Sequence, residues 1–191
     1  MNRETEGVRR EEERAATRRG VVLVGHGGVP KDFPRERLAR LKALEAQRRG
    51  TGRGPSAEEI ELDRLLRTWP RTPDTDPYQA GLEALAAALR PHLHGALFAL
   101  AYNEFCAPDV EEAVEGLIAA GVTRLTVVPS MLTPGGSHSQ EEIPAILDRL
   151  RTMHPAVEIG YAWPFDPADV ARLLAEQVAR FEGVVRIPPR S

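Results

Sequence analysis

Four short runs of apolar residues recur along the chain, and each has the length of a buried strand. They cover residues 20–25, 95–102, 122–130 and 157–162, and the first of them, GVVLVG, is continuous and rich in β-branched residues. Continuous apolar runs of this length are typical of parallel strands that are covered on both faces. The pattern therefore predicts about four parallel strands.

Amphipathic helices are predicted between these strands. Residues 78–91 and 108–121 carry apolar residues at helical spacing, so each segment has one apolar face. In the second segment Pro108 suits the first turn and Gly121 suits the C-terminal cap. Strands that alternate with helices of this length predict an α/β fold with a parallel sheet and right-handed crossovers.

A last helix is predicted over residues 165–181. Asp166 suits the N-cap and Pro167 the first helical position. Its apolar residues fall on one face, which we expect to be buried: Val170, Leu173, Leu174, Val178 and Phe181.

Residues 31–77 interrupt the alternation, because a connection from a strand to a helix normally takes only a few residues. Leu38, Leu41 and Leu44 predict one amphipathic helix in this segment. Ser56 and Glu59 have the spacing of a capping box at the start of a second helix. We therefore predict a helical insertion after the first strand.

Composition limits the class of protein. The chain has 191 residues, a formal net charge of −3 and a single cysteine, Cys106. These values give no sign of nucleic-acid binding, of an internal disulfide or of a membrane span, and the charged start does not resemble a signal peptide. We expect a cytoplasmic protein with a charged, disordered arm at 1–19, one α/β domain at 20–182 and a tail at 183–191.

Candidate chemistry gathers where the predicted strands end. His26 follows the first strand between glycines, Glu104 follows the second, and His138 follows the third behind a Gly-Gly pair. Ligands of open parallel sheets bind at the carboxyl ends of the strands, so these side chains are expected at one edge. Two imidazoles and a carboxylate suit a divalent transition metal, and the glycines let ligand and backbone approach closely.

The residues after His138 predict the start of a helix. Ser139 and Glu142 have capping-box spacing, and the positive end of a helix disfavours imidazolium. Pro144 is tolerated best in a first turn, so regular helix is expected to begin near Ile143.

Parts of this pattern also occur in other protein classes. GHGG resembles a lipase oxyanion loop, but no G-x-S-x-G follows it, and Gly25 stands where a histidine phosphatase has an arginine. The remaining three histidines follow no strand and are expected to be polar surface residues: His92, His94 and His154. Cys106 is expected to be a small buried residue.

The sequence resembles the sirohydrochlorin chelatases of the cobalamin and siroheme pathways, the class II chelatases. The resemblance rests on VVLVGHGG, on the segment from AYNEFCAPDV to RTMHP, and on WPFDPADVARLLAEQV. In that family Gly-His-Gly ends the first strand, and Gly-Gly precedes a second histidine that is followed by acidic residues and Ile-Pro. The resemblance implies a three-layer chelatase-like sandwich of about four parallel strands with flanking helices and, here, the insertion at 31–77.

The resemblance also implies an activity, which is insertion of a divalent metal ion into a sirohydrochlorin-type tetrapyrrole without ATP or an organic cofactor. Co²⁺ is the expected ion, with Ni²⁺ or Fe²⁺ as alternatives. His26 and His138 are the implied metal ligands, and Glu104 is the implied proton acceptor or third contact. Short members of the family form homodimers, so a homodimer is expected here.

Two other functions are compatible with the same residues. A non-catalytic metal or tetrapyrrole carrier could use the same histidines, and phosphoryl transfer through His26 is a weaker third possibility.

The insertion is the positively charged part of the chain. Residues 31–71 hold 11 Lys and Arg against 7 Asp and Glu, a net charge of +4, whereas the whole chain has a net charge of −3. Such a segment could face the carboxylates of a tetrapyrrole, or it could be an ordinary solvated helical pair.

Overall fold

The computed structural model describes residues 18–182, which contain a four-stranded parallel sheet in the order β2-β1-β3-β4. This confirms the predicted α/β fold. The strands are β1 (Arg19–Gly25), β2 (Leu97–Tyr102), β3 (Arg124–Pro129) and β4 (Glu158–Tyr161). The helices are α1 (Arg35–Thr51), α2 (Ala57–Arg67), α3 (Pro77–Leu89), α4 (Val110–Ala119), α5 (Ile143–Met153) and α6 (Pro167–Glu182), with a 3₁₀ turn at Arg90–Leu93 and a π-helical turn at His138–Glu142.

Three layers are formed because alternate residues of β1 point to opposite faces of the sheet. Val22 and Val24 are fully buried in a cluster that contains the apolar faces of α4 and α5. Leu23, between them, packs on the other side with Leu82 and Ala86 of α3. The central strand is thus covered on both faces, as its continuous apolar run predicted.

The register of the sheet brings the ends of three strands to one edge. Gly25 of β1 pairs with Tyr102 of β2, and Val24 of β1 pairs with Pro129 of β3. The segments that follow these strands therefore begin side by side. We call residues 26–30 loop 1 and residues 103–109 loop 2.

The insertion forms a helical hairpin, as predicted. Helices α1 and α2 are joined by ion pairs from Arg40 to Glu58 and from Arg48 to Glu59, whose carboxylate is buried. Ser56 caps α2 by accepting a hydrogen bond from the backbone of Glu59, but the Glu59 side chain binds Arg48, so the predicted reciprocal box is wrong. Two of the insertion's arginines are thus paired within the chain.

Helix α4 begins later than expected. Asp109 is its N-cap and forms a reciprocal capping box with Glu112, so Pro108 lies before the helix and not in its first turn. Gly121 has a φ of +87°, the left-handed conformation expected just after a helix. The start of the helix is therefore set by the capping box of Asp109 and Glu112, and Pro108 does not occupy the first turn.

Helix α6 contradicts the prediction that its apolar stripe is buried. Asp166 caps its first turn as expected, through a hydrogen bond from the Ala168 backbone. Its stripe, however, is 55–59% exposed: Leu173, Leu174, Val178 and Phe181. The amphipathic pattern identified an apolar face but not what covers it, and α3, α4 and α5 already cover the sheet.

The sequence predicts a charged arm at 1–19 and a tail at 183–191. Apart from Arg18 and Arg19, these segments lie outside the described residues, and β1 already begins at Arg19. None of the helices among residues 18–182 is both long enough and apolar enough for a bilayer crossing.

Loops 1 and 2 continue the pairing of β1 with β2 beyond the sheet. Asn103 donates its backbone N–H to Gly25, and Glu104 donates its own to His26, at 2.9 and 2.8 Å. At Gly27, where φ is +97°, a Cβ atom would lie 1.8 Å from the carbonyl oxygen of Glu104. The close approach expected at this glycine is therefore made by loop 2.

We predict that Gly27→Ala lowers the free energy of unfolding by at least about 2 kcal/mol, because the new Cβ meets backbone and the positive φ is strained. Gly81→Ala is the matched control, since Gly81 lies in α3 with open space around it. Alanine there is expected to add up to about 1 kcal/mol. Urea unfolding measures both changes, and equal effects at the two positions would contradict the packing described.

Candidate functional site

His26 and His138 meet at the edge of the sheet although 112 residues separate them. Their Nε2 atoms are 3.1 Å apart, and their rings form a T-shaped pair with centroids 4.7 Å apart. His26 begins loop 1, and His138 begins the π-helical turn after β3. The convergence predicted from the strand ends is present.

Hydrogen-bond acceptors lie at the far side of each ring from the two facing nitrogens. The Nδ1 atom of His26 lies 2.9 Å from the carbonyl oxygen of Gly27, and Nδ1 of His138 lies 2.9 Å from Oε2 of Glu142. Both of these partners only accept hydrogen bonds, which favours the tautomer with the proton on Nδ1; the side-chain nitrogen of Asn103 also lies 2.8 Å from Nδ1 of His138. In the tautomer with both protons on Nδ1, the two Nε2 lone pairs point toward the same space.

Glu104 completes a group of three possible metal ligands. Its Oε2 atom is 3.8 Å from Nε2 of His26, and one ligand atom from each of His26, Glu104 and His138 lies within 4.8 Å of the others. The backbone hydrogen bond from Glu104 to the carbonyl oxygen of His26 holds the main chain of Glu104 beside His26. All three predicted site residues are thus brought together.

Glu142 has a role that the sequence did not reveal. It accepts hydrogen bonds from Nδ1 of His138 and from the Asn103 side chain, at 2.9 and 3.0 Å. Partial burial acts to raise the pKa of Glu142, but the bonds from His138 and Asn103 outweigh it and hold that pKa below its usual value. Glu142 lies one helical turn after His138, and this spacing was the signal available in the sequence.

The segment that carries His138 is hydrogen-bonded to Tyr161 of β4. Ser139 is buried, and its carbonyl oxygen accepts a hydrogen bond of 3.0 Å from the hydroxyl of Tyr161. Burial raises the pKa of Tyr161 to about 12, so this donor keeps its proton at neutral pH. Regular helix begins at Ile143 with Pro144 in the first turn, as predicted.

The predicted capping box of Ser139 and Glu142 is wrong. The Ser139 hydroxyl donates to the carbonyl oxygen of Gly136, and Glu142 is bound to His138 and Asn103. A π-helical turn replaces the expected helix start. The Glu142 side chain therefore orients an imidazole, and it does not cap a helix.

Loop 1 is supported by α3. The backbone N–H of His26 donates to the hydroxyl of Tyr78 at 2.7 Å. A Cβ atom at Gly25 would lie 2.2 Å from Cδ2 of Leu82 and 3.1 Å from the Tyr78 hydroxyl. The glycine before His26 thus allows α3 to pack closely under the loop.

The other candidates lie apart from the group of three ligands. His154 pairs with Glu115 at 2.7 Å, while His92 and His94 belong to the 3₁₀ turn and its cap before β2. Cys106 is 1% exposed, and burial raises the pKa of its thiol, which suits the packing role expected for it.

This geometry can hold one metal ion and leave part of its coordination sphere open. Two nitrogens that bind one ion at about 2.1 Å, with an angle near 95° between them, are themselves about 3.1 Å apart. The side chains of His26 and Glu104 are 42% and 36% exposed, so the ion's remaining positions would face solvent. Two histidines and a carboxylate with open positions form a known class of metal site.

A protein-family model provides the deciding comparison. The model that describes CbiX matches residues 74–181, which is more than half of the chain. The chain belongs to the CbiX family. The matched range contains Glu104 and His138, while His26 and the helical hairpin precede it.

Two relatives of this CbiX chain come from Priestia megaterium. The first is a sirohydrochlorin ferrochelatase, 28% identical over 78 residues that make up 40% of this chain and 29% of the relative. The second is a sirohydrochlorin cobaltochelatase, 35% identical over 63 residues that make up 33% of this chain and 20% of the relative. The similarity thus covers less than a third of the length of each relative.

Solved structures share the fold. The sirohydrochlorin chelatase SirB from Bacillus subtilis subspecies spizizenii, in complex with cobalt, aligns over 86% of this chain and 51% of its own, with a TM-score of 0.53 and 16% identity. SirB from Bacillus subtilis with Fe³⁺ aligns over 88% and 49%, with a TM-score of 0.53 and 19% identity. Each alignment spans about half of the SirB chain.

We predict that Glu142→Gln weakens Co²⁺ binding by about 10- to 100-fold. The substitution removes the carboxylate that orients His138 and makes its Nε2 a stronger metal ligand. Glu141→Gln is the control: its side chain is also exposed, and no hydrogen bond joins it to His138. Titration of each variant with Co²⁺, followed by absorbance, measures both affinities. Equal affinities would contradict the role assigned to Glu142.

Proposed function

We propose that this CbiX chain inserts a divalent metal ion into a sirohydrochlorin-type tetrapyrrole, in the manner of an ATP-independent chelatase. The observation that carries the proposal is the facing pair of Nε2 atoms beside Glu104 at an open edge of the sheet. Family membership and the names of the two relatives support the same reaction.

The proposed mechanism assigns one task to each group. His26 and His138 bind the incoming ion through Nε2, and their fixed Nδ1 partners keep both lone pairs available. As ring nitrogens replace the ion's water ligands, two pyrrole protons must leave the macrocycle. Glu104 accepts these protons one after the other and passes each to solvent, since its carboxylate is beside the ion and partly exposed.

Co²⁺ is the ion we propose first, with Ni²⁺ and Fe²⁺ as the alternatives. The relatives include both a ferrochelatase and a cobaltochelatase, so their names do not choose between iron and cobalt. Imidazole and carboxylate ligands serve several divalent ions, and the affinity order alone does not decide selectivity in cells. A side-by-side rate comparison with the three ions addresses the choice.

The proposal extends to the assembly. We propose that two copies associate through the exposed stripe of α6. An apolar face of this kind on a soluble protein normally meets a partner. The chain also aligns with about half of each SirB chain, so a second copy would supply a comparable second half.

We predict that His26→Ala and His138→Ala each abolish metal insertion while the protein stays folded, because a single imidazole cannot hold and present the ion. The assay mixes protein, Co²⁺ and sirohydrochlorin and follows the absorbance of the macrocycle; circular dichroism checks the fold. His92→Ala is the control and should retain full activity.

The same assay separates the rival functions. A wild-type rate no higher than the spontaneous rate, with Co²⁺ or tetrapyrrole still bound, would favour a non-catalytic carrier. Hydrolysis of phosphate esters that His26→Ala removes would favour the phosphatase alternative. Unchanged insertion in His138→Ala would remove that residue from the site.

We predict that Leu174→Glu converts a dimer into a monomer, because a carboxylate placed on the apolar stripe of α6 would be buried without a partner in the dimer. Ala179→Glu adds the same charge on the opposite face of the helix and should leave the dimer intact. Sedimentation equilibrium of the full chain gives the mass of each variant. A monomeric wild-type protein would contradict the proposed assembly.

A further inference from the structure

The helical insertion is in contact with both loops that carry metal-site residues. Arg71, at the end of the insertion, is 5% exposed in its side chain and pairs with the buried carboxylate of Asp76. Its guanidinium donates to the carbonyl oxygen of Gly28 in loop 1, at 2.8 Å, and to that of Phe105 in loop 2. One side chain therefore holds the residue two after His26 and the residue directly after Glu104.

The insertion also holds loop 2 through its apolar core. Phe105 packs against a cluster built around Phe33, Leu41 and Leu66, and Val29 of loop 1 packs there as well. The backbone of Ala107 donates to the carbonyl oxygen of Arg67, at 3.2 Å. Loops 1 and 2 are thus fixed to the insertion by side chains as well as by backbone.

Loop 2 needs such support because its backbone is strained next to Glu104. Phe105 has a φ of +61°, a left-handed conformation that is costly for a bulky residue. Strain of this kind persists only where the surroundings fix it, and it is concentrated at functional sites. The surroundings of Phe105 are the apolar cluster of the insertion on one side and the Arg71 fork at its carbonyl group.

The Arg71–Asp76 pair is poorly explained by stability alone. Burying two charges costs several kcal/mol, and an apolar pair of similar size is often as stable. The Nε atom of Arg71 is buried without a hydrogen-bond partner among residues 18–182, which adds a further cost. A planar fork that reaches two separate carbonyl groups has a geometric use that an apolar pair could not supply.

We propose that Arg71 is a positioning residue for the metal site, and that the insertion serves to hold loops 1 and 2 so that His26 and Glu104 face His138 at ligand spacing. This inference rests on the proposed metal binding. It assigns the insertion a task that does not require contact with the tetrapyrrole.

The test compares two ion pairs within the insertion. Arg71→Lys keeps the charge but cannot reach two carbonyl groups with a planar fork. Arg48→Ala removes the partner of the buried Glu59 in the α1–α2 hairpin, and the pair that it breaks makes no contact with either loop. Both variants should be less stable than wild type. Thermal unfolding measures how much stability each variant has lost, so that their Co²⁺ affinities can be compared at a similar loss.

Co²⁺ affinity and insertion kinetics are then measured at a temperature at which circular dichroism shows both variants folded. We expect Arg71→Lys to weaken Co²⁺ binding by about 10-fold or more, by analogy with residues that orient metal ligands. Arg48→Ala should bind Co²⁺ within about twofold of wild type, because distant, independent sites act separately. In Arg71→Lys the KM for Co²⁺ should rise more than kcat falls.

Equal Co²⁺ affinities in Arg71→Lys and wild type, or equal losses in Arg71→Lys and Arg48→Ala, would overturn the positioning role. Should Arg71→Lys not fold, the double variant Arg71→Gln with Asp76→Asn, which removes both buried charges and leaves none unpaired, takes its place under the same criteria. Wild-type protein that binds no Co²⁺ would instead refute the proposed function on which the inference rests.

Discussion

Two imidazole nitrogens, Nε2 of His26 and Nε2 of His138, face each other at 3.1 Å, and the rest of the site depends on this contact. When both protons are on Nδ1, the two Nε2 lone pairs face each other, and this arrangement is unfavourable by itself. It is maintained by acceptors at the far side of each ring: the Gly27 carbonyl group for His26 and the Glu142 carboxylate for His138. A cation between the two rings would turn this local repulsion into binding energy.

The architecture explains how residues so distant in sequence reach this spacing. β1 is central and is paired on both sides, so loop 1 emerges between loop 2 and the segment that follows β3. Backbone bonds continue from the sheet into loop 2, and the contact of Gly27 with Glu104 leaves no room for a side chain between the loops. Loops 1 and 2 are therefore hydrogen-bonded extensions of the sheet, and His26 and Glu104 lie on them.

Much of this arrangement could be predicted because it follows from local patterns and from parallel topology. Apolar runs identified the four strands, and the rule that ligands lie at the carboxyl ends of parallel strands placed His26, Glu104 and His138 together. Other features depended on contacts that no local pattern contains. Glu142 matched a helix cap, yet it binds His138 and Asn103. Arg71 looked like one charge among many in the insertion, and the exposed face of α6 could not be foreseen because amphipathicity does not reveal which partner covers a face.

The most direct measurement is the position of the ion in crystals of the protein loaded with Co²⁺, located by anomalous diffraction. The account predicts one strong peak about 2.1 Å from Nε2 of both His26 and His138, with a Glu104 oxygen at a similar distance. A peak at His92 and His94, or at His154 with Glu115, and none between His26 and His138, would contradict it.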